Sequence, residues 1–383
     1  MSLPSTAPLR VAIVNDLAMA REALRRCIGS MPQTQVAWVA GDGAEAIAKA
    51  AQDRPDLILM DLLMPGVDGV EATRQIMHRC PCAIVVVTAT VEGNATRVYE
   101  AIGAGALDAV ETPRLAGECG ARRNALAEKI EMVRRMRAGG DATATRPAPP
   151  RAGAPAAAAA PASAARPPSP IATAANTIAS TWSEGGAPPI VAVGASTGGP
   201  QALSVFLSSL PHPFPAAVLI VQHMEPAFLP GMAAWLTAET RRPVRLARAG
   251  ERPEPGAVLL AGEAQHLTVT HKGLLCYVDG PPELLHRPSV DMLFQSLAAS
   301  SLEPGAGVLL TGMGKDGAAG LLQMRERGWA TFAQDAATSV VWGMPGAAVH
   351  LGAAEQTLPL HALGAAVAGT INARRAGRAG RRA

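Results

Sequence analysis

The chain has 383 residues, which is too long for one ordinary domain and predicts two domains of about 100–200 residues each. Hydrophobic residues make up 49% of it and aromatic residues 3%, so its cores must be mostly aliphatic, and the net charge is only +3. No targeting peptide and no apolar run of about 18 residues is evident, so we expect a cytoplasmic protein that is not inserted in a membrane. Five cysteines without C-x-x-C spacing fit reduced thiols in that compartment.

The composition divides the chain into four parts. From residue 138 to 187 it is mostly Ala, Pro, Gly, Ser and Thr, with too few large apolar side chains to offset the entropy of ordering. We therefore predict a disordered linker there, between a folded domain at 1–137 and a larger one at 188–375. Residues 376–383 form a short basic tail, for which we expect a frayed, solvated terminus.

The first domain alternates apolar strands with amphipathic helices. This alternation predicts a flavodoxin-like, doubly wound parallel sheet of five βα units. The last predicted helix covers 122–137, and the predicted strands are 11–14, 36–39, 57–60, 83–88 and 107–110.

Polar side chains follow three of these strands. Asn15 and Asp16 come after the first strand, Asp61 comes after the third, and Thr88 ends the fourth. Carboxylates are the ligands that Mg²⁺ prefers, so Asp16 and Asp61 could hold this ion. Asp61 could then attack a phosphoryl group, and the Thr88 hydroxyl could bind the phosphate that results.

Residues 60–69, with the pattern D-x-x-M-P-x-x-D-G, resemble the phospho-acceptor loop of bacterial response-regulator receiver domains. This resemblance implies Asp61 as the phosphorylated residue, Asn15, Asp16 and Thr88 as its supporting residues, and Mg²⁺ as the cofactor. Three positions depart from the receiver pattern. Asn15 replaces an acidic residue, Ala109 replaces the aromatic switch residue, and Thr112 replaces the lysine before a proline.

The second domain repeats the alternation and predicts a doubly wound, mainly parallel α/β domain. A short antiparallel hairpin is expected at 267–278. Helices are predicted at 201–210, 227–240, 289–300 and 317–327, and strands at 190–193, 218–222, 258–260, 308–311 and 330–332.

A G-x-S-x-G turn at 194–198 presents Ser196 between a strand and a helix, the arrangement of a nucleophile elbow. His223 directly follows the next strand, and Asp316 follows the strand at 308–311, so the three could form a hydrolytic triad. Taken singly, a phosphate-binding turn at Ser196 and a helix-capping role for Asp316 are equally open. The joint appearance of the three residues at strand ends favours the triad, although spacing alone does not settle it. The α/β-hydrolase order would use His350 or His361 instead, but neither follows a predicted strand.

Several motifs of this domain, in order, resemble the catalytic domain of CheB methylesterases. They are Gly194-Ala195-Ser196-Thr197-Gly198-Gly199, Gln222-His223-Met224, Arg287-Pro288-Ser289-Val290-Asp291, residues 311–317, Ala333-Gln334-Asp335 and Gly343-Met344-Pro345. The resemblance implies Ser196 as nucleophile, His223 as base and Asp316 as orienting acid, with Thr197 and Met313 near the oxyanion and no catalytic metal.

The same resemblance implies a function. The family hydrolyses glutamyl methyl esters on methyl-accepting chemoreceptors, often deamidates receptor glutamines, and receives phosphoryl groups from a CheA-type histidine kinase. The unusual receiver residues are most similar to the Wsp-type branch, and the receiver is expected to cover the Ser196 cleft until it is phosphorylated. A response regulator that only binds a partner is the main rival, and a DNA-binding regulator is disfavoured because no helix-turn-helix pattern is evident.

Overall fold

A computed structural model describes residues 7–89, 95–113, 119–138, 188–281, 284 and 286–382, with only the main chain described at 119–124 and 378–382. Apart from residue 138, the predicted linker lies outside these residues. We call 7–138 the first domain and 188–382 the second domain.

The first domain is one parallel sheet of five strands with helices on both faces. The strand order is β2-β1-β3-β4-β5, which confirms the predicted flavodoxin-like class. The elements are β1 Leu9–Val14, α1 Ala18–Gly29, β2 Thr34–Ala40, α2 Gly43–Gln52, β3 Leu57–Met60, α3 Gly69–Arg79, β4 Ala83–Thr88, α4 Ala95–Gly103, β5 Asp108–Glu111 and α5 Cys119–Ala138.

The strand order of this sheet reverses between β1 and β3, and that point is where an open α/β sheet forms a crevice. Both strands are apolar and almost entirely buried, because helices cover both faces of the sheet. Asn15 and Asp61 are the first residues after these strands. The fold therefore places their side chains at the crevice.

The second domain is a parallel sheet of seven strands in the order β14-β13-β12-β6-β7-β9-β8, with a separate antiparallel hairpin, β10-β11. Its elements are β6 Ile190–Ala195, α6 Gly199–Ser209, β7 Ala217–Gln222, α7 Leu229–Thr240, β8 Val244–Leu246, β9 Val258–Leu260, β10 His266–Val269, β11 Leu275–Val278, α8 Val290–Ala299, β12 Ala306–Leu309, α9 Ala318–Glu326, β13 Ala330–Gln334, α10 Met344–His350, β14 Gln356–Leu358 and α11 Leu360–Arg382.

The two edge strands, β8 and β14, are absent from the sequence predictions because each has only three residues and is partly exposed and polar, unlike the equally short but fully apolar β9. At the end of the chain, α11 continues through the predicted basic tail to Arg382, consistent with the high helix propensity of alanine and arginine. No helix in the described part of the chain is both long and apolar enough to cross a lipid bilayer.

The two domains pack against each other through α4 of the first and α6 and α7 of the second. Tyr99 on α4 is fully buried; its hydroxyl donates a hydrogen bond to the carbonyl oxygen of Phe228, at 2.9 Å, and lies 3.0 Å from the sulfur of Met224. Its ring also stacks on Trp235, with the centroids 5.6 Å apart. One apolar cluster thus extends from the first sheet into the second domain.

Candidate active site

Ser196 lies in a tight turn between the fully buried strand β6 and helix α6. Gly198 has a φ of +72°, and a Cβ atom there would lie 2.7 Å from Val340, so the turn requires glycine at this position. The N–H of Ser196 donates to the carbonyl oxygen of Thr311 at 3.0 Å. This hydrogen bond holds the main chain of Ser196 against the segment that follows the neighbouring strand β12.

His223 follows strand β7, whose last residue, Gln222, pairs with Ala195 of β6. The buried amide of Gln222 donates to the carbonyl oxygen of Ser196 at 2.8 Å and to that of His223 at 3.1 Å. Gln222 therefore links the main chains of Ser196 and His223. The sequence analysis assigned no role to this glutamine.

Asp316 accepts four hydrogen bonds. His223 donates from Nε2 at 2.8 Å, the hydroxyl of Ser289 at 2.8 Å, and the N–H groups of Val290 and Asp291 at 2.7 and 3.0 Å. Three of these donors belong to the start of α8, whose positive dipole end also favours a carboxylate.

Burial alone would raise the pKa of Asp316, but the hydrogen bond and charge of His223 and the N–H donors outweigh it, and the pKa lies well below its ordinary value. Asp316 does not cap the helix that follows it, because α9 begins after Gly317 without a side-chain cap. Its carboxylate contacts the start of a different helix and the imidazole.

The tautomer of His223 follows from these contacts. Because Nε2 faces an ionised carboxylate, it carries the proton and Nδ1 is the free base. Nδ1 is buried and has no hydrogen-bond partner among the described residues. The hydrogen bond between Ser196 and His223 is therefore not formed in this arrangement.

A cavity of about 260 Å³ contains this site, and both domains form its walls. The second domain contributes Ser196, Thr197, His223 and Met313, while the first contributes side chains from β5 and α5. Among the latter, Lys129 and Asp108 form an ion pair at 2.7 Å. His350 and His361 do not line this cavity, and His350 instead bonds to the carbonyl oxygen of Gly346.

The polar cluster of the first domain lies at the end of β3. Asp61 accepts hydrogen bonds from the Asn15 amide at 2.8 Å and from the N–H of Leu62 at 2.7 Å. Burial raises the pKa of Asp61 to about 6 against the effect of its N–H donors, and the charge of Asp16 adds to the rise. Thr88 is buried at the end of β4, the strand next to β3.

The donor set of the first domain fits Mg²⁺, which binds through one or two carboxylates and retains several waters. Asp61 has a raised pKa beside Asp16, and such a pair favours a cation. No group of three or more His, Cys, Asp or Glu side chains that could hold a metal occurs in the described residues, since Asn15 stands where a third carboxylate would be.

Comparison with known proteins identifies both domains. Residues 11–116 match the response regulator receiver domain, and residues 191–367 match the CheB methylesterase family. The chain is 49% identical over 353 residues to protein-glutamate methylesterase/protein-glutamine glutaminase 2 of Cupriavidus metallidurans, covering 92% of this chain and 95% of that protein. The chain belongs to the CheB methylesterase family.

The chain is also similar to a second full-length relative and to one solved catalytic domain. Protein-glutamate methylesterase/protein-glutamine glutaminase 3 of Pseudomonas aeruginosa is 46% identical over 92% of this chain and 96% of that protein. The crystal structure of the Thermotoga maritima CheB methylesterase catalytic domain is 33% identical, with a TM-score of 0.45, and covers 47% of this chain and 97% of that one. We now call the two domains the receiver and the methylesterase domain.

Two side chains beside His223 and Asp316 were given no role from the sequence. His286 stacks on His223, and Asp291 places its carboxyl group beside Asp316. Both lie within or next to the Arg-Pro-Ser-Val-Asp motif at 287–291, which the sequence analysis quoted without assigning a role. The signal available in the sequence was the place of His286 directly before that motif, because neither His286 nor Asp291 follows the end of a strand.

Proposed function

We propose that this chain hydrolyses glutamyl methyl esters on methyl-accepting chemoreceptors, releasing methanol, and that it also deamidates receptor glutamines. The observation that supports this most is the His223–Asp316 hydrogen bond of 2.8 Å in the cavity that holds Ser196. The names of the full-length relatives agree with this activity.

In the first half of the reaction, Ser196 Oγ attacks the ester carbonyl and its proton passes to His223 Nδ1. Asp316 stays ionised and stabilises the imidazolium that forms. The oxyanion would be held by main-chain N–H groups at Thr197 and Met313, since the N–H of Ser196 is already bonded to Thr311. His223 then returns the proton to the methoxy group, which leaves as methanol.

In the second half, water attacks the acyl-serine while His223 takes a proton from it. His223 then gives this proton to Ser196 Oγ as the acyl bond breaks, which releases a glutamic acid side chain that ionises to the carboxylate. A receptor glutamine would follow the same path, with ammonia as the leaving group. Each step uses only Ser196, His223, Asp316 and main-chain donors, so the esterase reaction requires no metal in this scheme.

Methanol release from a methylated chemoreceptor tests the proposal. Ser196→Ala should lower kcat by several orders of magnitude, because the nucleophile is lost. Ser301→Ala is the matched control, since Ser301 is an exposed serine of the same domain whose hydroxyl bonds only to His271. Equal rates for Ser196→Ala and the native protein would disprove the proposed function.

We further propose that phosphorylation of Asp61 by a CheA-type kinase exposes the methylesterase site. The shared cavity of about 260 Å³ can hold a glutamyl side chain but not a receptor helix, which is about 10 Å across. A receptor helix can therefore reach Ser196 only after the receiver moves. Asp16 and Asp61 are the residues that would hold Mg²⁺, which would neutralise phosphoryl oxygens there, and Thr88 would donate a hydrogen bond to the phosphate.

The receptor itself is proposed to be of the Wsp type. Asn15, Ala109 and Thr112, the three departures from the usual receiver pattern, support this assignment. Methanol release should be faster, at equal concentration, from a methylated Wsp-type receptor than from a flagellar chemotaxis receptor. A preference for the flagellar receptor would disprove this part.

A further inference from the structure

His286 forms a parallel stack with the imidazole of His223. The two ring centroids are 4.3 Å apart and the planes are inclined by 15°. This distance and angle are those of a stacked aromatic pair in close contact. His286 belongs to the segment just before α8, so it approaches His223 from a different direction than Asp316 does.

Among the described residues, the side chain of His223 makes a single hydrogen bond, so a further restraint on its ring is useful. The main chain is held by the N–H bond to Ala195 and by the Gln222 amide, and Nε2 is held by Asp316. Nδ1 is buried without a hydrogen-bond partner among the described residues, so no hydrogen bond on that edge fixes the tilt of the ring about the Asp316 contact. A flat group packed on the ring face removes this freedom.

His286 is suited to this position because it stays neutral. Burial and a positive charge on His223 together lower its pKa to about 4, although Asp316 opposes the shift. Lys129, which faces it from α5 of the receiver, also disfavours a proton. A neutral ring does not repel the imidazolium that His223 becomes during the reaction, and its face attracts a cation.

We propose that His286 is a positioning residue that holds the plane of His223 so that Nε2 meets Asp316 and Nδ1 faces Ser196. The inference rests on the proposed methylesterase reaction and deepens it. His286 exchanges no proton with the substrate in this scheme. It acts through His223 alone, by contact with the face of the ring.

Steady-state kinetics of the full-length protein, activated with a small acyl phosphate and Mg²⁺, separate this role from others. His286→Ala should lower kcat up to about tenfold with little change in KM, the size expected for the loss of one aromatic pair. His286→Phe keeps a flat ring and should stay within about twofold of the native kcat. His271→Ala, an exposed histidine on the β10–β11 hairpin, is the control and should match the native protein.

Nitrogen NMR of His223 in the Ser196→Ala background provides a readout that does not depend on turnover. The native ring and the His286→Phe ring should show a single tautomer protonated at Nε2, whereas His286→Ala should show a mixture. The proposal is overturned if His286→Ala keeps the native kcat and tautomer, or if His286→Phe loses as much kcat as His286→Ala. If the tautomers change as expected while the native protein releases no methanol, the proposed function fails and the positioning role stands.

Discussion

Asp61 of the receiver directly follows a buried strand, Asp316 of the methylesterase domain lies in the loop after another buried strand, and the pKa values of the two carboxyl groups are shifted in opposite directions. Burial dominates at Asp61, and its pKa rises to about 6 beside Asp16. At Asp316 four donors, including His223, overcome burial and depress the pKa. The preceding strand determines where each carboxylate lies, whereas the hydrogen-bond donors around the carboxylate determine the direction of its pKa shift.

This difference matches two tasks. The lowered pKa of Asp316 keeps its carboxylate ionised with protein partners alone, which suits the proposed role of orienting an imidazole. The raised pKa of Asp61 means that its charge would be stabilised by an added cation, which suits the proposed role of accepting a phosphoryl group. The proposed site at Asp61 therefore needs a cation from solution, whereas the proposed site at Asp316 does not.

The first test of this difference between Asp316 and Asp61 is to remove the charge of Asp316. Asp316→Asn should lower kcat for methanol release by about 10⁴-fold, because the amide cannot hold His223 in the required tautomer. The exposed residue Asp279 gives a control variant, Asp279→Asn, that should leave kcat unchanged. A decrease in kcat of less than tenfold in Asp316→Asn would show that methanol release does not need the negative charge of Asp316.

Removing the charge of Asp61 should act on activation instead. Asp61→Asn should abolish the rise in activity produced by an acyl phosphate and should also lose the increase in melting temperature that Mg²⁺ gives the native protein. Its unphosphorylated activity should equal that of the native protein. Asp53→Asn, which removes an exposed carboxylate of the same domain, should retain both responses, and an activated Asp61→Asn enzyme would contradict the role of Asp61.

The contact between the two regions can be weakened at Tyr99. Tyr99→Phe removes the hydrogen bond to Phe228 and should raise the unphosphorylated activity about fivefold, since one such bond contributes about 1 kcal/mol. The fully phosphorylated rate should not change. The other tyrosine, Tyr277, bonds within the methylesterase domain, so Tyr277→Phe should leave the ratio of the two rates unaltered. If Tyr99→Phe leaves the ratio of the unphosphorylated to the phosphorylated rate unchanged, the hydrogen bond from Tyr99 to Phe228 does not contribute to inhibition.

Asp291 lies beside Asp316, yet its pKa is raised, as is that of Asp61. Burial and the charge of Asp316 raise its pKa to about 6, although the N–H of Gly320 opposes the rise. A carboxyl group with a raised folded pKa costs stability above that pKa, and the cost fades as the pH falls toward the unfolded value near 3.8.

Asp291→Asn should therefore be more stable than the native protein at pH 8, by about 1–3 kcal/mol, and the difference should shrink toward pH 4. Urea unfolding across this range measures it. Asp279→Asn, at an exposed carboxylate of the same domain, is the control variant. A stability difference for Asp291→Asn that does not vary with pH would contradict the raised pKa.

Local sequence patterns were sufficient for the sheets and for the residues that follow strands. Apolar runs such as 57–60 and 218–222 predicted where Asp61 and His223 would emerge, because parallel strands end at one edge. They could not predict contacts made between distant segments. The stack of His286 on His223, the approach of Asp316 to the start of α8, and the burial of Tyr99 against Phe228 each depend on packing between elements far apart in the chain.

The cavity walled by both domains has a consequence for how the proposed inhibition depends on the surroundings. In the proposed scheme, the receiver and a receptor helix would compete for the same space over Ser196, and the covalent connection between the two domains would give the receiver a high effective concentration. Receptors packed densely in an array would also present a high local concentration. Crowded substrate would then displace part of the receiver without any phosphoryl group, so the basal rate would follow the density of receptors as well as the activity of the kinase.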